Sequence, residues 1–317
     1  MNEFDIIRRY FTPPTDHTVL AGGDDAALVA TAAGMELAVS ADTLVAGHHF
    51  FENAEPISVG HKCMAVNLSD MAAMGARPRW ATLSLTLPRV DERWLEGFAE
   101  GFLWLAEDHG VDLIGGDTTR GPLAVCVQIL GEVERGKALR RSGARPGDDL
   151  WLSGNVGDAA LALAHLRGDF ALHASDLEYA MKRLHKPQAR VAVGVGLIGL
   201  ATSCIDISDG LVADVGHLAE RSGVQMTIEW ESVPLSSVEA RYRDHPAVQR
   251  AALAGGDDYE LAFTAPVGRR SEITQLAARV GVALTRIGRV GQGGGVTAVD
   301  RANQPIVLTE AGFDHFR

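Results

Sequence analysis

Segments of strand character and segments of helix character alternate along the whole chain, and this alternation narrows the possible folds most. Residues 36–40, 80–87 and 123–133 are runs rich in Val, Leu and Thr, the composition of strands. Residues 57–75 read as a helix. Residues 91–109 form a clearer one, with Trp94, Leu95, Phe98, Phe102 and Leu105 at helical spacing. After the turn cluster ARPGDD at 144–149 the alternation resumes. A strand at 150–152 precedes helices at 158–166, 176–184 and 188–200, then come a strand at 204–207 and a helix at 211–221. Strands at 226–230 and 260–265, a helix at 271–280 and a hairpin about the GQGGG turn at 291–295 complete the pattern. The pattern predicts an α+β protein of two mixed α/β domains, 1–140 and 141–317. A length of 317 residues agrees, at roughly 100–200 residues per domain.

With 46% hydrophobic residues there is ample apolar mass for two cores, which excludes a disordered chain. The net charge of −12 excludes nucleic acid and anionic membrane as partners held by general electrostatic attraction. Only four lysines are present, Lys62, Lys137, Lys182 and Lys186. Anion binding must therefore rest on Arg, backbone or metal. The longest uncharged apolar stretch, 191–205, is glycine-rich and shorter than the ~18–20 residues a membrane span needs. The first residues carry Glu3 and Asp5 and lack the apolar core of a signal peptide, so a cytoplasmic protein is expected. Cys63, Cys126 and Cys204 show no zinc or disulfide spacing.

Two segments imitate nucleotide motifs. GEVERGKA at 131–138 has P-loop spacing, but Ala138 stands where Mg²⁺ needs a hydroxyl, and the interior glutamates would repel phosphate. VAVGVGLIG at 191–199 contains G-x-G-x-x-G within a helical pattern rather than between a strand and a helix. Close helix packing is the expected use of those glycines.

Aspartate, in contrast, recurs beside Gly, Ser or Thr where apolar runs end: Asp24 and Asp25, Asp42, Asp70, Asp117, Asp206 and Asp209, Asp257 and Asp258. Singly, each is a turn or helix-cap residue, and Asp209 is placed to cap the helix at 211. Asp70 fits that role least well, because it shares a helix face with Asn67 among small apolar neighbours, where a carboxylate is costly unless paired or metal-bound. Together the carboxylates favour hard divalent cations, Mg²⁺ above all, held jointly with substrate phosphates.

In this order, GDDAA, SADTLVAGHHF, NLSDMAAMGARPRW, LIGGDTTRGPL, LRRSGARPGDDLWLSGNVGDAALAL, DISDGLVADVGHLA, GGDDYELAFT and GFDHF resemble the thiamine-monophosphate kinase family across nearly the full chain. That family shares a superfamily with aminoimidazole ribonucleotide synthetase, selenophosphate synthetase and a hydrogenase-maturation protein. The resemblance implies transfer of the γ-phosphoryl of ATP to thiamine monophosphate, with several Mg²⁺ ions per site. It implies a homodimer whose N-terminal sheets pair into a barrel, and a sandwich-like C-terminal α/β domain. It assigns Asp25, Ser40, Ala41, Asp42, Asp70, Asp117, Asp206 and Asp209 to Mg²⁺, with Asp42, Asp70, Asp117 and Asp209 at the catalytic centre. It assigns Gly116, Asp117, Arg141 and Ser208 to ATP, and His49, Asp257 and Phe313 to substrate. Ala41 stands where Thr is common, so only its carbonyl could serve, and Asp257 stands where Glu is common. No Cys or Lys precedes Lys62, which separates the chain from selenophosphate synthetase, and the end FDHFR lacks the cysteine of the hydrogenase-maturation relative.

Overall fold

A computed structural model describes residues 2–309, 312 and 313. The chain divides into two compact units. The first takes the residues up to Met71 and Ala76–Gly136, and the second takes Ala72–Gly75 and Lys137 onward.

The first unit runs α1 (Glu3–Tyr10), β1 (Met35–Val45), α2 (Pro56–Ala73), β2 (Arg77–Leu87), α3 (Glu92–Asp108), β3 (Asp112–Arg120) and β4 (Ala124–Glu134). Its four strands form one sheet in the order β1-β4-β2-β3, antiparallel except for the parallel β2–β3 pair. Alternation divides the faces. Ala81, Leu83 and Leu85 of β2 and Val125, Val127 and Ile129 of β4 are buried on one side. On the other, Leu37 and Val39 of β1 are exposed. Helices α2 and α3 cross closely through glycine: a Cβ at Gly60 would lie 2.1 Å from the Phe98 carbonyl oxygen, and one at Gly101 2.0 Å from that of Ile57.

The second unit runs β5 (Asp148–Ser153), α4 (Asp158–Arg167), α5 (Ala174–His185), α6 (Val191–Gly196), β6 (Ser203–Asp206), α7 (Leu211–Ser222), β7 (Gln225–Glu229), α8 (Ser237–Arg241), α9 (Pro246–Ala254), β8 (Leu261–Pro266), α10 (Arg270–Val280), β9 (Leu284–Gly291) and β10 (Gly295–Val299). Six strands form one sheet in the order β10-β7-β9-β5-β8-β6. One core gathers Leu150, Leu152, Ile205, Leu211, Val215, Leu218, Met226 and Ile228. Another gathers Trp151, Phe263, Leu261, Ile273, Leu276 and Leu197.

Three local expectations need correction. The strands flanking GQGGG do not form a hairpin, because β7 inserts between them, parallel to β10 and antiparallel to β9. The helix expected over 188–200 is regular only at Val191–Gly196. Residues 112–120, which lie outside the elements expected from the sequence, form β3. Both nucleotide-motif imitations resolve as anticipated. Residues 131–134 continue β4 into a turn at Gly136. Gly194 packs so closely that a Cβ there would lie 1.9 Å from the Ala72 carbonyl oxygen. Among the described residues, no helix is long and apolar enough to cross a membrane.

Candidate active site

In the first unit, Ser40, Asp42 and Asp70 come together. Alternation along β1 turns Ser40 and Asp42 toward α2, and the Ser40 hydroxyl donates a hydrogen bond to the Asp70 carboxylate. Burial pushes the Asp42 carboxyl up to about 7, and the negative charge of Asp70 adds to the rise. Two carboxylates in one desolvated corner oppose each other's ionisation, and a cation relieves that opposition. One helical turn before Asp70, Asn67 is fully buried. Its amide donates to the Cys63 carbonyl at 2.9 Å, while its side-chain oxygen has no hydrogen-bond partner.

At the end of β1 the chain turns back on itself. The His49 N–H donates to the Val45 carbonyl at 3.0 Å, and the Val45 N–H donates to His49 Nδ1 at 3.0 Å. With Nδ1 accepting, the neutral ring carries its proton on Nε2 and presents a donor there. Lys62, buried on α2, donates from Nζ to the His49 carbonyl at 3.3 Å. This support was not foreseen; its sequence signal was a lysine flanked by the apolar run of the same helix.

Gly116 and Asp117 lie elsewhere in the same sheet. The row Asp42–Val127–Leu83–Gly116 runs from edge to edge, three inter-strand steps or about 14 Å. Asp117 pairs with Ser84 on the exposed face, the face to which Ala41 also belongs. Gly116 has φ +151°, and a Cβ there would lie 1.8 Å from the Leu83 carbonyl oxygen, so only glycine allows β3 to join β2. Asp25 is exposed in a loop closed by the Leu20–Leu28 bridge. Asp112, also unforeseen, anchors the segment leading into that loop by accepting from the Asp16 and His17 N–H groups and the Thr18 hydroxyl. Burial raises its carboxyl, but those hydrogen bonds outweigh burial and hold it below the usual range.

In the second unit, three segments converge. Asp206 ends β6, buried, and Ser208 and Asp209 follow in the turn into α7. Asp209 does not cap α7, contrary to the local expectation: the N-cap is Gly210, and the amides of the turn are taken by Asp214. Burial pushes the Asp214 carboxyl up to about 7 despite those hydrogen bonds. The GGDDYE loop lies on this turn, with the Asp257 N–H donating to the Ser208 carbonyl at 2.9 Å and the Tyr259 N–H to that of Ile207 at 2.8 Å. Asp257 and Tyr259 hold positive φ, +70° and +54°, and the tyrosine hydroxyl donates to the Asp257 carboxylate at 3.0 Å. Phe313, exposed, donates its N–H to the Asp209 carbonyl at 3.0 Å. The remaining residues of GFDHF, 314–316, lie outside the described residues.

Between Asp257 and Tyr259, Asp258 turns inward and accepts the Gly157 N–H at the start of α4. Glu260 is buried against Arg183 at 3.0 Å and Arg190 at 2.5 Å. Burial also pushes the carboxyls of Asp158, Glu239 and Asp258 up. Arg141 is exposed on the segment before β5, its carbonyl accepting from the Ser222 hydroxyl. A 390 Å³ cavity in this unit is lined by Gly154, Asn155, Gln188, Arg190 and Gly281 among others, and none of the expected site residues borders it. Among the described residues, no group of three or more His, Cys, Asp or Glu side chains is placed to hold a metal ion.

Two sheets, each carrying aspartates at strand ends and in glycine-flanked loops, correspond to a known two-domain class. Residues 23–133 match the N-terminal domain, and residues 145–301 the C-terminal domain, of AIR synthase related protein. Over 318 residues the chain is 42% identical to thiamine-monophosphate kinase of Escherichia coli (strain K12), covering 99% of this chain and 98% of that one. Its structure is similar to that of thiamine-monophosphate kinase from Stenotrophomonas maltophilia K279a (TM-score 0.85, 46% identity, 89% and 91% covered). It is also similar to AaThiL complexed with AMPPCP and TMP (TM-score 0.79, 33% identity, 90% and 89% covered). The chain belongs to the AIR synthase related family and, within it, to the thiamine-monophosphate kinases.

Proposed function

We propose that this chain transfers the γ-phosphoryl group of ATP to thiamine monophosphate, producing thiamine diphosphate and ADP. The observation that carries the reading is the gathering of Asp42, Asp70 and Ser40, whose hydroxyl donates to Asp70, in a chain 42% identical over nearly its whole length to a kinase of that name. The relative solved with AMPPCP and TMP supports both substrates.

The acceptor is a phosphate monoester whose second pKa near 6 leaves it mostly dianionic at neutral pH, so it attacks without a general base. The obstacle is the approach of two polyanions. The donor set suits Mg²⁺: it consists of hard oxygens, and two carboxylates are held together at an electrostatic cost that a cation removes. In the first unit, Asp42, Asp70 and the Ser40 hydroxyl would hold one ion, while Asp25, Asp117 and the Ala41 carbonyl offer oxygen donors to further ions; in the second unit, Asp206 and Asp209 are the acids that would bind Mg²⁺. Mg²⁺ characteristically binds through one or two carboxylates plus substrate phosphates, so a preformed three-acid cage is not required. When bound, it offsets phosphate charge and aligns the two phosphates for in-line displacement. His49 offers Nε2–H to the acceptor phosphate. Gly116, Arg141 and Ser208 serve the ATP phosphates, and Asp257 and Phe313 hold the thiazolium cation by charge and by an aromatic face.

A homodimer belongs to the same reading. It is supported by the open face of the first sheet, where Leu37 and Val39 are exposed, and by the edge positions of β1 and β3. Two such sheets would pair into a barrel. The deciding experiment is a coupled ADP-release assay with Mg²⁺ across thiamine, thiamine monophosphate and aminoimidazole-pathway substrates. ADP release that requires thiamine monophosphate is expected, and release with another acceptor alone would overturn the reading.

A further inference from the structure

The turn after β6 presents the expected ligands and contacts Ser208 and Asp209, yet what shapes it is a residue one helical turn further on. One carboxylate oxygen of Asp214, Oδ2, accepts three consecutive backbone N–H groups: Ser208 at 3.1 Å, Asp209 at 3.0 Å and Gly210 at 3.1 Å. Asp214 is 3% exposed. Since α7 has no other side-chain cap, this one group takes the amides of the turn, two part-buried and the third, Gly210, buried.

With those amides turned inward, the carbonyls of the same turn point to the other segments. Ile207 accepts from Tyr259, Ser208 from Asp257, and Asp209 from Phe313. Glycine permits each approach. A Cβ at Gly256 would lie 2.2 Å from the Ser208 carbonyl oxygen, and one at Gly312 2.8 Å from that of Asp209. Gly210, at φ +134°, packs against the Ala254 backbone. The three segments that carry Asp209, Asp257 and Phe313 thus meet on a turn whose inner side is held by a single buried carboxylate.

We propose that Asp214 is a positioning residue for phosphoryl transfer, its carboxylate holding the 208–210 turn in the one geometry on which Asp209, Asp257 and Phe313 converge. A carboxyl that accepts three amide hydrogen bonds cannot be removed without taking the partner from each of those amides. The catalytic consequence rests on the kinase reading above; the geometric one does not.

Two measurements on Asp214→Ala and Asp214→Asn test it. Amide hydrogen exchange needs no substrate: exchange at 207–210 and 257–259 should rise about tenfold or more in Asp214→Ala while the β5 and β8 amides stay protected. Unchanged exchange in the turn would overturn the proposal whatever the enzyme's activity. Steady-state kinetics then separate positioning from mere stability. At saturating substrates kcat should fall about 100-fold in Asp214→Ala and recover to three- to tenfold below wild type in Asp214→Asn, which keeps an acceptor oxygen. A folded Asp214→Ala with wild-type kcat and only a lowered Tm would overturn it. If the alanine variant does not fold, Asp214→Asn decides alone: a three- to tenfold lower kcat supports the proposal and an unchanged kcat overturns it. A wild-type protein that releases no ADP with thiamine monophosphate would sink the kinase reading instead, leaving hydrogen exchange to judge Asp214.

Discussion

The two units hold their acids in opposite ways. In the first, Asp42 and Asp70 stand on regular elements, a strand and a helix, and face each other across a desolvated corner. In the second, Asp209 and Asp257 sit on loops, and other acids do the holding: Asp214 takes the turn amides, Asp258 the start of α4, and Glu260 two arginines. Regular elements position a side chain by their own hydrogen bonding, so the carboxylates they carry can remain mutually repulsive until a cation arrives. Loops have no such framework, so each presented acid needs a buried partner acid whose hydrogen bonds are satisfied. Repulsive pairs store a stability cost; an anchoring acid, when removed, strands the donors that it holds.

Substitution should therefore separate the two groups. Asp42→Asn and Asp70→Asn should each lower transfer by about 10³-fold or more at saturating Mg²⁺ while the fold survives, since a charged ligand is lost at nearly constant volume. Turnover within tenfold of wild type would remove that residue from the metal site. The anchoring acids should show the reverse balance. Glu260→Gln leaves the part-buried Arg183 and Arg190 without their carboxylate, at a cost toward the lower end of the roughly 3–5 kcal/mol that breaking a buried pair takes. A denaturant titration would read this, and a loss below about 1 kcal/mol would show that the arginines find other partners.

A subtler difference appears with pH. The Asp42 carboxyl is raised in the folded protein from 3.8 to about 7, so between those values the folded state binds the extra proton. Stability should fall as pH rises from about 4 to about 7 and level off above, the reverse of an ordinary paired carboxylate. In metal-free buffer, Asp42→Asn should flatten this slope and raise Tm by a few degrees at pH 8. A slope unchanged by the substitution would mean that Asp42 is not the group responsible; Asp214, raised in the same direction, contributes the remainder. The smallest effect is expected at Lys137, exposed just after the Gly136 turn. Lys137→Ala should change ATP affinity less than twofold by calorimetry, and a hundredfold loss in a folded variant would restore the P-loop reading of 131–138.

How much was legible in advance follows the range of the interactions involved. Strands such as β2 and β4 are apolar runs whose composition announces them. β3 was missed because Gly115, Gly116 and Asp117 weaken any strand pattern; it becomes a strand because Gly116 lets the backbone close against Leu83. The GQGGG strands were found, but their pairing was not, since the insertion of β7 is a long-range choice that no local turn encodes. Asp214 was overlooked for a similar reason. Asp209 stands at a plausible cap position, and only the folded turn shows that the carboxylate four residues into the helix has taken the amides.

From the sequence alone came the alternating architecture, the two spurious nucleotide motifs, the acids beside small residues and the family whose motifs they spell. Each depends on composition, spacing or order, which are local properties of the chain. Tertiary structure alone decided which acids repel and which anchor. Asp42 and Asp70 are 28 residues apart, and Asp258 and Gly157 101 apart. Whether such a carboxylate meets another charge, a row of amides or an arginine depends on burial and on partners brought from afar. Desolvation and hydrogen bonding then set its protonation and its role, and neither exists until the chain has folded.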